Sequence, residues 1–225
     1  MELSLKYNFL FVHLAKTGGT SIRAALARYR WRDPARLSLF IASRLSAVNH
    51  HRLGIKIPRH ARAIAAQEML PADVFSRLFK FAFVRNPWDL QVSSYHHIKR
   101  ERPDLLIGIP DFPAFVRYKL NPDRPAQYHL DASSRLQTSC LIDLEGNQIV
   151  DFVGRYERLA EDFATVCQYI GISPKPLGQH RRATERSSDY RSYYDSATAE
   201  YVAEYFSRDI RVFEYDFDQP LRQFQ

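Results

Sequence analysis

Cysteine, glycine and long apolar stretches are all scarce in this chain of 225 residues. Its two cysteines, Cys140 and Cys167, are too few for a disulfide framework, and both stand among apolar residues, where a buried free thiol is expected. The eight glycines mark no solenoid period, and no low-complexity tract is present. The apolar stretch at 9–14 is too short to span a membrane, and no signal peptide is visible. We therefore expect a cytoplasmic protein without a transmembrane segment.

The composition favours a folded protein with an anionic partner. Apolar residues make up 45% of the chain and aromatic residues 13%, enough for a substantial core and too much for a mainly disordered chain. The 32 basic and 25 acidic residues give a net charge of +7. This charge indicates an acidic partner, but it does not distinguish nucleic acid, membrane and nucleotide.

Two segments predict the same strand-loop-helix arrangement. The apolar run Phe9–Val12 is followed by a glycine-containing loop and then by helical spacing over 22–29. The second run, Phe79–Val84, is followed by Asn86, a good helix cap, and Pro87, which suits the first helical position. Both segments are typical of a strand that leads directly into a helix.

Further elements extend this pattern over most of the chain. A third strand is predicted at 149–153, followed by a helix over 159–170 that Gly171 ends, and helical spacing returns near the C-terminus. Apolar strands that alternate with helices indicate an α/β fold with a central parallel sheet flanked by helices. Five of the twelve prolines lie between 103 and 125 and predict a loop-rich insertion at about 98–130 within a single domain 1–225.

The loop after the first strand has the composition of a phosphate site. Backbone N–H groups at a helix N-terminus favour an anion, and a lysine and three hydroxyl groups surround the two glycines of this loop. The residues concerned are Lys16, Thr17, Gly18, Gly19, Thr20 and Ser21. No glycine precedes the lysine, so the order differs from a Walker A loop and disfavours ATP hydrolysis.

The loop after the second strand offers a second anion site. Arg85 follows the strand directly, at the edge where parallel α/β sheets bind ligands. Ser93 lies on the predicted helix, and guanidinium and hydroxyl groups are both good phosphate ligands. An ion pair within the protein is the alternative role for Arg85.

Together, these two loops resemble the donor-binding motifs of the carbohydrate (family 2) sulfotransferases. Residues 11–21 resemble the family's 5′-phosphosulfate loop, with Ala15 where the family commonly has proline, and residues 81–95 resemble its 3′-phosphate motif. The resemblance implies a P-loop-like sulfotransferase fold and the co-substrate 3′-phosphoadenosine 5′-phosphosulfate, without a metal. It places residues 16–21 on the 5′-phosphosulfate, Arg85 and Ser93 on the 3′-phosphate, and a carbohydrate acceptor near the insertion.

Sulfuryl transfer also needs a base and a positive charge near the leaving phosphate. Lys16 is the candidate for the positive charge. His60 resembles the histidine that serves as catalytic base between the two phosphate motifs of related polysaccharide sulfotransferases. His13 is expected to orient the loop, and Glu157 is a second candidate base or an ion-pair partner.

A basic and aromatic stretch near the C-terminus allows two interpretations. In the sulfotransferase interpretation, Tyr190 and Arg191 are candidates for covering the adenosine end of the donor. Arginines that alternate with tyrosines also occur in single-stranded nucleic-acid sites, an interpretation that we do not favour. The predicted activity is sulfuryl transfer, and the alternatives are an ATP-magnesium-dependent nucleotide or sugar kinase and a non-catalytic nucleotide- or glycan-binding protein.

Overall fold

The computed structural model describes residues 1–33, 59–174, 176, 177, 187 and 189–218. Its strands are β1 (Glu2–Ser4), β2 (Phe9–Val12), β3 (Phe79–Val84) and β4 (Phe152–Arg155). Its α-helices are α1 (Gly19–Trp31), α2 (Ala63–Met69), α3 (Ala72–Arg77), α4 (Pro87–Glu101), α5 (Phe112–Leu120), α6 (Tyr128–Asp131), α7 (Leu159–Tyr169), α8 (Ser196–Tyr205) and α9 (Ser207–Phe213). Short 3₁₀ turns lie at Pro103–Leu106, Thr138–Cys140, Tyr156–Arg158 and Tyr190–Tyr193.

The chain divides into two compact units. The first comprises Met1–Leu14, Gly18–Val84 and Ser139–Gln179, and the second comprises Ala15–Thr17, Arg85–Thr138 and His180–Gln225, each over its described residues. The single domain expected from the sequence stays a prediction. Among the described helices, none is both long and apolar enough to cross a lipid bilayer.

The first unit is built on a mixed sheet in the order β1-β2-β3-β4. β2, β3 and β4 run parallel, whereas β1 pairs antiparallel with β2. Four aromatic side chains of β2 and β3 are fully buried and form a core with residues of α1 and α7, namely Phe9, Phe11, Phe81 and Phe83. The α/β fold predicted from the sequence is confirmed, and the antiparallel edge strand β1 is an addition to it.

The third strand begins three residues later than the sequence predicts. The carboxylate of Asp151 accepts a hydrogen bond from the backbone N–H of Lys80 at 2.6 Å. The same carboxylate forms an ion pair with Lys80 Nζ at 2.9 Å. The backbone N–H of Ile149 donates to the carbonyl oxygen of Leu141, so this residue pairs outside the sheet. The apolar run therefore contributes only its second half to β4.

The second unit packs α4 against α5, α8 and the turn at Tyr190–Tyr193. Within the insertion predicted as loop-rich, the nine-residue helix α5 forms because Asp111 caps it and Pro113 lies in its first turn. Cys140 and Cys167 are buried free thiols, as the sequence predicts.

Candidate functional site

The loop between β2 and α1 turns through left-handed backbone. Lys16 has φ of 67° and Gly18 has φ of 81°, a region that is unfavourable for a lysine and common for glycine. A methyl group added at Gly18 would lie 2.7 Å from the side chain of Leu159, so this position also needs glycine for space. The carbonyl oxygen of Gly18 accepts the first backbone hydrogen bonds of α1.

The first turn of α1 is suited to an anion. It contains no acidic residue, and the helix dipole favours negative charge at this end of the helix. Thr17 is fully buried, Ser21 is 8% exposed and Thr20 is exposed. The loop thus combines a helix N-terminus with hydroxyl groups, as the sequence predicts.

His60 and His13 lie together at the end of β2 in the first unit. Their ring centroids are 4.6 Å apart, and Nδ1 of His60 lies 3.0 Å from the backbone carbonyl oxygen of His13. Because a carbonyl oxygen only accepts, Nδ1 of His60 carries the proton and Nε2 keeps its lone pair in the neutral ring. Burial is the main cause that lowers the pKa of His60, so its neutral form extends below pH 6.5.

Arg85 is held by three groups of the second unit. Its guanidinium contacts Asp89 through Nε at 2.8 Å and Nη2 at 2.7 Å, and Nη1 donates to the carbonyl oxygen of Lys16 at 2.9 Å. The backbone N–H and carbonyl of Arg85 both pair with the side-chain amide of Gln137. Arg85 is only 2% exposed, so its position is defined by this network.

Gln137 is itself held by a buried carboxylate. Asp209 accepts from the backbone N–H of Gln137 at 2.6 Å and from the N–H and hydroxyl of Thr138 at 2.9 and 2.8 Å. Burial is the main cause that raises the pKa of Asp209, against these hydrogen bonds. Sequence reasoning assigned no role to Gln137 or Asp89, because neither has a local signal beyond the four-residue spacing of Asp89 from Arg85.

Asp89, which binds Arg85, shares one face of α4 with two other polar residues. Asp89, Ser93 and His97 follow one another at intervals of four residues and therefore lie along the same side of the helix. Burial and then the positive charge of Lys16 lower the pKa of His97 to about 4. The half-buried Ser93 thus lies one turn beyond Asp89, whose carboxylate holds Arg85. His97 lies close enough to Lys16 for the positive charge of the lysine to affect it.

Tyr190 and Arg191 make contacts within the second unit. The hydroxyl of Tyr190, a buried residue, donates to the carbonyl oxygen of Phe217 and accepts from Asn86. Arg191 is paired with the carboxylate of Asp189 through Nε and Nη2. Their predicted contact with the donor stays a prediction, and the arginines at 181, 182 and 186 lie outside the described residues.

A surface cavity of about 430 Å³ lies between α5 and α8 of the second unit. It is lined by Arg117, Asn121, Ala197, Thr198 and Tyr201. Two of these residues belong to the insertion that the sequence predicts to form the acceptor site. In the part of the chain that the structure describes, no cluster of three histidine, cysteine or acidic side chains is arranged to hold a metal ion.

Comparisons with known proteins agree on one family. The sequence profile of the Sulfotransferase family matches residues 3–216. Carbohydrate sulfotransferase 9 of Homo sapiens is 30% identical in an alignment that covers 76% of this chain and 43% of that protein. The chain therefore spans less than half the length of this curated relative.

Proposed function

This chain belongs to the sulfotransferase family, and we propose that it transfers a sulfuryl group from 3′-phosphoadenosine 5′-phosphosulfate to a hydroxyl of a carbohydrate. The observation that carries the proposal is the 2.9 Å hydrogen bond from Arg85 Nη1 to the carbonyl oxygen of Lys16. It joins the two loops whose sequences predict a 5′-phosphosulfate site and a 3′-phosphate site. A donor with two separated anionic groups needs both loops in a fixed arrangement.

The residues of both loops fit this donor chemically. Lys16 and the hydroxyls of Thr17, Thr20 and Ser21 supply ligands for the 5′-phosphosulfate, beside the N-terminus of α1, where the helix dipole favours an anion. Arg85 and Ser93 are proposed to bind the 3′-phosphate. The net charge of +7 favours the binding of this polyanionic donor.

His60 is the proposed base for the transfer step. Its Nε2 takes the proton of the acceptor hydroxyl while the hydroxyl oxygen forms a new bond to the sulfur atom. The bond between sulfur and the bridging oxygen of the 5′-phosphate breaks, and its electron pair stays on the leaving phosphate. Lys16 stabilises the negative charge that develops on this oxygen.

The acceptor is proposed to be a carbohydrate. The human relative is named as a carbohydrate sulfotransferase, and the insertion at 98–130 is the proposed acceptor region. The cavity between α5 and α8 offers a guanidinium, an amide and a phenol ring, which suit hydroxyl groups and the face of a sugar ring.

An acceptor screen tests the proposed function. Purified protein is incubated with donor that carries radiolabelled sulfate and with a panel of sulfatable glycans, and label in the glycan is counted. We expect transfer to at least one glycan by wild type and strongly reduced transfer by His60→Ala. Phosphate transfer from ATP with magnesium, with no sulfate transfer, would indicate a kinase instead, and tight donor binding without turnover would indicate a binding protein.

A further inference from the structure

Lys119 is a lysine in the interior of the second unit. It lies in the last turn of α5 and is only 1% exposed. Its Nζ atom donates hydrogen bonds to Oε1 of Gln91 at 2.7 Å and to the backbone carbonyl oxygen of Ser133 at 3.1 Å. Both acceptors are uncharged, and the amine forms no ion pair with any residue that the structure describes. Because a lysine is almost never fully buried unless it is paired with an acid, this position is unusual.

The hydrogen bonds of Lys119 match an uncharged amine. An ammonium group has three N–H donors, whereas a neutral amine has two, and two acceptors are present. Burial, and then the positive charges of Arg124 and Lys16, lower the pKa of Lys119 well below its ordinary value of 10.5. The negative charge of Asp131 acts in the opposite direction, but this carboxylate is ion-paired with Arg124. An ammonium group here would be a buried charge without an acidic partner of its own.

Lys119 connects the two parts of the second unit that the proposed reaction uses. Gln91 is fully buried on α4, two residues from Asp89 and two residues from Ser93, so it lies on a different side of the helix from both. Asp89 and Ser93 belong to the proposed 3′-phosphate site, and Lys119 belongs to the insertion that is proposed to bind the acceptor. One amine therefore links the buried side of the donor-binding helix to the acceptor region.

We propose that Lys119 is an uncharged positioning residue, which holds α4 against the insertion so that Ser93 faces the 3′-phosphate of the donor. The effect on the donor rests on the proposed function, whereas the uncharged amine depends on the fold alone. The charged groups that act on this amine are Lys16, Arg124 and Asp131. Protonation of Lys119 would place a charge in the core of the second unit, so the folded state becomes less stable as the pH falls.

Unfolding in urea tests whether the amine is uncharged. Lys119→Met keeps the length of the side chain and removes the titrating group, and Lys99→Met is the matched control at an exposed position of α4. Between about pH 8 and pH 9.5, the unfolded wild type binds a proton at Lys119 that the folded state lacks, so stability rises with pH. We expect the unfolding equilibrium constants of wild type and Lys99→Met to fall about 10-fold more per pH unit than that of Lys119→Met. Equal pH dependence in all three proteins would overturn the inference.

A measurement on wild type covers the case in which Lys119→Met does not fold. Protein labelled with ¹³C at the lysine Cε atoms is measured by NMR at about pH 8, where lysines with ordinary pKa values are ammonium groups. We expect one Cε resonance at the chemical shift of an uncharged amine. A spectrum that contains only ammonium resonances would overturn the inference.

Nucleotide binding tests the positioning role. 3′-Phosphoadenosine 5′-phosphate and adenosine 5′-phosphate are titrated calorimetrically into wild type, Lys119→Met and Lys99→Met. We expect Lys119→Met to bind the first nucleotide about 2-fold to 10-fold more weakly, the range for one neutral hydrogen bond. Its affinity for the second nucleotide stays at the wild-type value, because that nucleotide has no 3′-phosphate.

The two nucleotides also separate a positioning role from a general loss of structure. Unchanged affinity of Lys119→Met for both nucleotides, or an equal loss for both, would overturn the positioning role. Wild type that binds neither nucleotide would overturn the proposed function and the positioning role together. The urea and NMR experiments decide on the uncharged amine independently of either result.

Discussion

The loop after β2 and the loop after β3 both lead from a parallel strand into a helix, but they are built differently. The first turns through the left-handed backbone of Lys16 and Gly18, and no acidic side chain lies in the turn that follows it. The second loop is stabilised by side chains of its own segment: Asn86 caps α4, and Asp89 forms an ion pair with Arg85. The first loop leads to a helix N-terminus without acidic side chains, and the second loop holds the cation Arg85 in place.

This difference suggests a division of roles. The histidine proposed as base lies beside the first loop, through the hydrogen bond from His60 to the carbonyl oxygen of His13. Arg85 is held by several hydrogen bonds and is suited to ground-state binding of a phosphate. We therefore expect substitutions at the first loop and His60 to lower kcat, and substitutions at the second loop to weaken donor binding.

The largest effect is expected from His60→Ala. Loss of the base should lower kcat by about 10²-fold to 10⁴-fold, the usual contribution of general base catalysis. The affinity for 3′-phosphoadenosine 5′-phosphate should stay close to wild type, because the variant removes no proposed phosphate ligand. Steady-state kinetics and calorimetry measure the two quantities, with Glu157→Gln as the control that should retain turnover. Near-normal turnover in His60→Ala, together with a large loss of turnover in Glu157→Gln, would indicate that Glu157 is the base instead.

Lys16→Ala is expected to have the next largest effect. Removal of a preorganised charge at the leaving oxygen should lower kcat by about 10²-fold to 10³-fold, with a smaller loss of product-nucleotide affinity. Lys99→Ala is the matched control, because Lys99 is an exposed lysine on α4. A change confined to KM would show that Lys16 acts only in ground-state binding, and the proposed division between the loops would be wrong.

Arg85→Ala should mainly weaken donor binding. Loss of a charged hydrogen bond corresponds to about 1.5–3 kcal/mol, which would raise the donor KM by about 10-fold to 100-fold. Ser93→Ala should have a smaller effect. Adenosine 5′-phosphate lacks the 3′-phosphate, so its affinity should be the same in wild type and Arg85→Ala. An equal loss of affinity for both nucleotides would indicate a general disturbance of the site.

The pH dependence gives the smallest expected effect. Only neutral His60 accepts a proton, so kcat/KM should rise with pH through the pKa of this residue. Because burial lowers that pKa, the midpoint should lie below 6.5, the ordinary value for histidine. A midpoint well above 6.5 in the pH profile of wild type would contradict the environment described for His60.

Much of the fold follows from local sequence signals. The bounds of β2 and β3 are confirmed as predicted from the apolar runs at 9–12 and 79–84. Asn86 and Pro87 predict the start of α4, and Gly171, with φ of 66°, follows α7 as expected. These elements are predictable because each depends on residues that are adjacent in the chain.

The remaining features depend on residues far apart in the sequence. The later start of β4 follows from the contact of Asp151 with Lys80. The edge strand β1 joins the sheet by pairing with β2. The support of Arg85 by Gln137, and of Gln137 by Asp209, joins segments more than fifty residues apart. Periodicity and capping rules contain no information on such pairs.

The binding of 3′-phosphoadenosine 5′-phosphate tests the central claim most directly, since the claim is that two loops recognise two separate phosphates of one nucleotide. Melting temperatures are measured with this nucleotide and with ATP and magnesium at equal concentrations, each with and without EDTA. A nucleotide that binds only the folded state raises the melting temperature. The account predicts a larger increase with 3′-phosphoadenosine 5′-phosphate, unchanged by EDTA. An increase seen only with ATP and magnesium, and abolished by EDTA, would contradict it.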